Sequence, residues 1–216
     1  MVFGKIEYIN LLPFHVFMKR FTKGSSAKMS MEYKKGVPSD VNQQFLKKRV
    51  DAAFISSIKA KQHHHVELGI IAKKEVLSVL IVPHANNTKD KESATSNILA
   101  NVLDIQGKVI IGDKALKYYL QNDDYIDLAK EWHNKYQLPF VFALLCYHKD
   151  KKTYKKIQKN FLKQKVKIPQ YILKKASLRT DIQPKEILNY LNYISYKLDK
   201  KAKLGLKTFL NQAKKL

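Results

Sequence analysis

The sequence predicts an α/β fold in two lobes around a ligand cleft, and three observations predict it. Strand-length apolar segments alternate with helix-length amphipathic ones through the first 58 residues. The character turns polar just after Pro83. Two apolar segments, 76–83 and 139–146, then stand where the chain would leave the first lobe and return to it. Two crossings with a small insert between them suggest a hinged protein with its ligand in the gap. The expected division is 1–82 with the return segment and tail, 141–216, in one lobe, and 83–140 in a smaller one.

Each element has its own signal. Ile6 and Tyr8 mark a first strand that runs into Asn10 and is stopped by Pro13, since proline cannot donate to a ladder and pushes its predecessor towards extended geometry. Residues 15–21 continue as a short helix and 24–26 form a loop. Residues 29–33 read as a second strand closed by Gly36. Pro38-Ser-Asp40 then opens a helix with Val41, Phe45 and Leu46 on one face. Asp51-Ala-Ala-Phe-Ile-Ser56 is a third strand, and this β-α-β-α-β order is the grammar of a parallel sheet. Strands follow at 68–72 and 76–82. After a polar linker at 84–92, Ser93-Ala-Thr-Ser96 caps a helix that runs to Leu103. Residues 109–111 form a buried strand, 114–120 and 127–135 are helices, and 138–146 is a long apolar strand. The remainder reads as helical. Pro184 starts an amphipathic helix with a stripe of Ile187, Leu191, Ile194 and Leu198.

Composition excludes several function classes. With 216 residues, 45% of them hydrophobic, the chain can bury a real core. It has neither a leader-like basic and apolar start nor a run of about 18 uncharged apolar residues, so a soluble cytoplasmic protein with no membrane partner is expected. The single Cys146 lies within an apolar run and reads as a small buried hydrophobe. A net charge of +23 suggests nucleic acid, but only Arg20, Arg49 and Arg179 stand among 41 basic residues. Base and phosphate recognition leans on arginine, and these lysines are spread over solvated helix faces. Specific nucleic-acid binding is therefore not expected. The positive field would instead speed capture of a small anion.

The candidate site residues are polar groups at strand ends and helix starts. Asn10 reads either as a strand-end turn asparagine or as an amide placed to hold a hydroxyl or carboxylate. Ser56, Ser57, Ser78, Thr95, Ser96 and Asp113 complete the set, which is rich in neutral hydrogen-bonding side chains. The helix start at 93–96 offers free N–H groups and the positive end of a dipole to an anion, although ordinary capping explains most such runs. His63-His64-His65 looks metal-like, but consecutive side chains diverge and do not readily share one ion. Isolated His15, His84 and His133 read as surface or satisfied histidines. No nucleophile elbow, Gly-rich phosphate loop or His-Glu-x-x-His is found, and neither a metal nor a cofactor is expected.

Seven segments carry a family resemblance in order: Ile6-Glu-Tyr-Ile-Asn-Leu-Leu-Pro13, Asp51-Ala-Ala-Phe-Ile-Ser-Ser-Ile58, Val76-Leu-Ser-Val79, Ser93-Ala-Thr-Ser96, Ile111-Gly-Asp-Lys-Ala115, Asp127-Leu-Ala-Lys-Glu-Trp132 and Leu138-Pro-Phe-Val-Phe-Ala143. Together they resemble chorismate dehydratase of the futalosine route to menaquinone. The resemblance spans residues 4–146, with a looser match in the tail. It implies the type II periplasmic-binding-protein fold with a reduced second lobe and a helical C-terminal tail. The implied partner is the small dianion chorismate, which loses its C3 proton and C4 hydroxyl to become 3-[(1-carboxyvinyl)oxy]benzoate.

The same resemblance makes Asn10 the key catalytic residue; such an amide would orient the departing hydroxyl and a carboxylate, and the base is either the enolpyruvyl carboxylate of the substrate itself or a protein group. Ser57 and Ser78 are the next substrate contacts implied, Thr95 and Ser96 take a carboxylate, and Asp113 completes the set as a contact or a structural member. The chain departs from the family pattern in the polar 84–92 run, in the short 104–108 connection and in Ala129, where glycine is usual. The alternatives are the sister enzyme making 1,4-dihydroxy-6-naphthoate, whose opening Ser-Pro-Cys-Pro-Asn-like segment is not seen here, and a non-catalytic binding protein for small anions.

Overall fold

A computed structural model describes residues 1–24, 31–83 and 86–216. The first half of the described chain carries β1 (Val2–Lys5), a 3-10 turn (Ile9–Leu11), α1 (Leu12–Gly24), β2 (Glu32–Lys35), α2 (Pro38–Leu46), β3 (Ala52–Ser56), α3 (Ser57–Ala60) and β4 (His65–Ala72). The insert consists of β5 (Val79–Val82), α4 (Ala94–Leu103), β6 (Lys108–Ile111), α5 (Gly112–Gln121), β7 (Ile126–Asp127) and α6 (Leu128–Tyr136). The chain returns through β8 (Phe140–Tyr147) and ends in α7 (Lys151–Leu162), α8 (Gln170–Thr180), α9 (Pro184–Leu191), β9 (Ile194–Lys197) and α10 (Lys200–Gln212).

Two sheets organise these elements. The larger runs β2-β1-β3-β8-β4-β9, with β1 parallel to both β2 and β3, as the β-α-β-α-β reading expects. β8 is antiparallel to β3 and β4 and lies between them, pairing Ser56 with Ala143 and Ala72 with Phe140. The smaller sheet, β6-β5-β7, is antiparallel throughout. Segment 76–82, expected as one strand, splits. β5 belongs to the smaller sheet, and 73–78 is the connection to it. Two sheets flanked by helices bear out the expected α/β class.

Packing follows the apolar pattern. Phe14 from α1 meets Phe54 of β3 and Phe161 of α7 edge-on, at 5.0 and 5.3 Å between ring centres. On α6, Trp132 meets Phe140 of β8 and Phe209 of α10. Cys146 is fully buried in β8, and burial pushes its thiol up to about 12, so it behaves as the small hydrophobe expected.

Three elements differ from expectation for physical reasons. The first strand ends at Lys5, and Asn10 sits in the 3-10 turn instead of at a strand end. Pro13 does not stop that strand. It occupies the first turn of α1, where a missing N–H costs nothing. The apolar stripe of 187–198 is also broken: α9 stops at Leu191, and Ile194 to Lys197 pair with β4 as an edge strand. The run Ile-Ser-Tyr-Lys alternates with period two and favours that strand. Residues 25 and 26 of the expected loop, 29 and 30 of the second strand, and His84 lie outside the described residues.

Asp127 secures the crossing between the sheets. One carboxylate oxygen accepts from Ala129 and Lys130 N–H at the start of α6, and the other from Val76 and Leu77 N–H at 2.9 and 2.7 Å. Leu77 has φ 60, a left-handed conformation that a bulky residue adopts only when its surroundings enforce it. Asp127→Ala would leave four donors, three of them buried, without this acceptor. It is expected to lower unfolding free energy by about 3 kcal/mol or more in a denaturant titration. A second test concerns Gly205 in α10, where a Cβ would collide with the Pro139 carbonyl oxygen. Gly→Ala in an open helix gains about 1 kcal/mol. Here overpacking reverses the sign, and Gly205→Ala is expected to lower stability by roughly 1–3 kcal/mol.

Candidate active site

Residues carried by both sheets line a cleft of about 600 Å³, its open mouth included. Asn10, Ser56, Ser78 and Ser96 line it, so four of the seven candidate residues come together there. Phe54, Ile70, Phe142 and Ile111 supply apolar walls, a setting in which a ring can be packed and water excluded.

Asn10 is held from several sides. Tyr196 of β9 donates its hydroxyl to the Asn10 carbonyl oxygen at 2.6 Å. The neighbouring Ile9 N–H donates to Asp113 Oδ1 at 2.8 Å. The Asn10 side chain also stands beside the Tyr190 phenol, whose hydroxyl lies 2.7 Å from Ser78 Oγ. Burial pushes the Tyr190 and Tyr196 phenols up, so both stay protonated near neutrality. One atom is left over: Asn10 Oδ1 is buried and has no partner. A buried orphan acceptor is costly, so its natural complement is a hydroxyl or N–H on a bound molecule.

The electrostatics of the cleft are unusual for so basic a chain. Among the described residues lining it there is no lysine or arginine, and Glu92 is the only charged side chain. Positive potential comes instead from helix starts. Pro38 opens α2, Ser93 and Ser96 open α4, and Gly112 opens α5, and all four residues line the cleft. At α4, Ser93 Oγ accepts from Ser96 N–H at 3.1 Å and donates to Ser96 Oγ at 2.8 Å. That cap aligns Ser96 while leaving first-turn N–H groups without intrahelical partners.

Glu92 is engaged by Tyr8, whose hydroxyl donates to it from the other lining. Burial first, then the Glu92 carboxylate, pushes the Tyr8 phenol up. The Tyr8 ring lies so close to Gly112 that a Cβ there would meet it at 2.6 Å, and φ at Gly112 is +69. Glycine is required at that position on both counts. The loop before α4 is fastened by Asp90, which pairs with Lys114 at 2.7 Å and whose backbone is bonded by the Asn97 side chain.

Three candidates do not line the cleft and act as braces. Ser57 Oγ and Thr95 Oγ1 face each other at 3.4 Å, and Ile58 N–H also donates to Thr95, which ties α3 to α4. Asp113 holds Ile9 through one oxygen and pairs with Arg179 Nη1 at 2.8 Å through the other. Burial raises its pKa against both partners. Asn42 plays a similar part for Ser56, donating to its hydroxyl and accepting from its N–H. Tyr8, Asn42, Glu92, Tyr190 and Tyr196 were not singled out from sequence. Only Tyr8 carried a signal, its place two residues before Asn10.

A family model described as menaquinone biosynthesis matches residues 1–105 and 92–215. The chain is 49% identical over 220 residues to a chorismate dehydratase of Campylobacter jejuni, covering 100% of this chain and 99% of the relative. A crystal structure of an Archaeoglobus fulgidus protein superposes with TM-score 0.74 at 10% identity, covering 99% of this chain and 96% of the other. The periplasmic aliphatic sulphonate binding protein SsuA from Escherichia coli gives 0.59 at 10% identity, with 100% and 86% covered. A Candida albicans protein described as having the generic periplasmic binding protein fold gives 0.58 at 12%, with 100% and 90% covered. At such low identity these structures speak for the fold alone. With family model and full-length relative in agreement, the chain belongs to the menaquinone biosynthesis family.

Proposed function

We propose that this protein is a chorismate dehydratase, a hydro-lyase that converts chorismate to 3-[(1-carboxyvinyl)oxy]benzoate and water in the futalosine route, and that it works in the cytoplasm. The observation that carries the reading is the buried, unpartnered Oδ1 of Asn10 in a two-sided cleft, in a chain 49% identical over its whole length to such an enzyme. No helix among the described residues is long and apolar enough to cross a membrane, which agrees with a small-molecule task.

The chemistry asks for positioning more than for a strong protein base. The enolpyruvyl carboxylate takes the C3 proton, and the electron pair left behind becomes a ring double bond as the C4–O bond breaks. The proton then goes to the departing hydroxide, so one water leaves and the ring is aromatic. Asn10 accepts from the C4 hydroxyl through Oδ1 and fixes its direction. Ser96 and the start of α4 hold one carboxylate, while Ser56 and Ser78 complete the polar contacts. Ser57, Thr95 and Asp113 act through the elements they brace. Gly112 lets Tyr8 close over the substrate onto Glu92.

Pure protein mixed with chorismate should bleach its diene absorbance and yield the enolpyruvyl benzoate on chromatography; an unchanged substrate would reject the reading. Asn10→Ala is expected to lose at least ~100-fold in turnover, on the scale of a lost oxyanion donor. Near-normal turnover in that variant would remove Asn10 from the mechanism. Tyr190→Phe keeps the apolar packing but removes the hydroxyl between Asn10 and Ser78. It should cut kcat by roughly 10-fold, about 1.4 kcal/mol, with little change in thermal midpoint.

A further inference from the structure

A second hollow, about 910 Å³ with its open mouth, shares no lining residue with the cleft. It forms where the end of β1 and the strand β2 meet α1 and α8. Its wall carries Lys5, Lys19, Lys35, Lys175 and Arg179 against one carboxylate, Glu7. Lys5 and Lys35 share Glu7 at 3.3 and 3.2 Å, and Arg179 is held by Asp113. Lys19 and Lys175 have no acidic partner among the described residues.

His15 lines the same hollow. Its Nε2 lies 2.8 Å from the Ile6 carbonyl oxygen and donates to it, while its buried Nδ1 has no partner. Burial pushes this imidazole down to about 4, so it is neutral near pH 7 and Nδ1 is a free acceptor. Surplus positive charge therefore lines the hollow, and one acceptor of a lining residue is buried without a partner. An anion made only of acceptors satisfies the charge and leaves Nδ1 orphaned. Monohydrogen phosphate satisfies both, since it is doubly negative and still carries a hydroxyl.

We propose that this hollow is a regulatory site for inorganic phosphate. Its effect on turnover, which rests on the dehydratase reading above, runs through Arg179. That guanidinium lines the hollow and pairs with Asp113, whose other oxygen holds Ile9 N–H beside Asn10. Phosphate in the hollow competes for Arg179, leaves the buried Asp113 carboxylate short of its partner, and loosens the turn that presents Asn10.

Isothermal titration of the full chain with phosphate and, separately, with sulfate at constant ionic strength tests the site. One-site saturation by phosphate with a dissociation constant in the millimolar range or below is expected, at least ~10-fold tighter than for sulfate, which has the same charge and no proton. Lys19→Gln with Lys175→Gln should weaken phosphate by at least ~10-fold, keep basal chorismate turnover and lose its inhibition by phosphate. Asn10→Ala should bind phosphate as the unaltered protein does, which separates this site from the cleft even if the catalytic reading fails. No saturation up to ~10 mM, equal binding of sulfate, undiminished binding by the double variant, loss of binding in Asn10→Ala, or turnover indifferent to phosphate would each overturn the proposal.

Discussion

The structure turns on holding one carboxamide still outside any long regular element. Asn10 sits in a single 3-10 turn, which by itself has too few hydrogen bonds to fix a side chain. Asp113 from α5 accepts from the preceding N–H, Tyr196 from β9 donates to its carbonyl, and Tyr190 from α9 stands beside its amide. These partners come from positions 113, 190 and 196. Every one of them is buried or part-buried, where a hydrogen bond is stronger and a missing one more costly. Asn10 is thereby pre-positioned, and only Oδ1 is left to be satisfied from outside.

The second constraint is how to attract an anion without clamping it. A net charge of +23 draws anions from a distance, yet none of that charge lines the cleft among its described residues. An ammonium there would be expensive to desolvate, and would hold a carboxylate as firmly before reaction as during it. Helix starts and serine hydroxyls bind more weakly, with dipoles already aligned by the fold. The apolar rings around them lower the local dielectric and make those small dipoles count. Glu92, the one charge present, accepts a hydrogen bond from Tyr8 and stands 4.0 Å from the Lys114 ammonium.

Much of this was legible in the residues themselves. The parallel β1, β2 and β3 follow from strand and helix periods, and the Ser93 cap and the apolar return strand from local chemistry. Asn10 was legible as a polar residue at a boundary, although the boundary was misplaced because Ile6 and Tyr8 alternate like a strand yet have no ladder partner beyond Lys5. Partners far away in sequence left no trace. Tyr196 looked like part of a helix, because Ile194 and Leu198 fit a four-residue spacing as well as a two-residue one. Ser57, Thr95 and Asp113 had the right chemistry for ligands, but neighbours unknowable from spacing claimed their oxygens first.

The place of β8 bears on how the molecule is made. It is central to the larger sheet, between β3 and β4, although it follows the whole insert in the chain. Until residue 147 has left the ribosome, β3 and β4 each expose an unpaired edge, and that sheet stays in two pieces. β5, β6 and β7 close on one another using residues 79–127 alone, so the smaller sheet can be finished first. The larger sheet is therefore completed only by pairings far apart in sequence, β3 and β4 with β8 and then β4 with β9, and long-range closure of this kind slows folding and leaves edges open to aggregation.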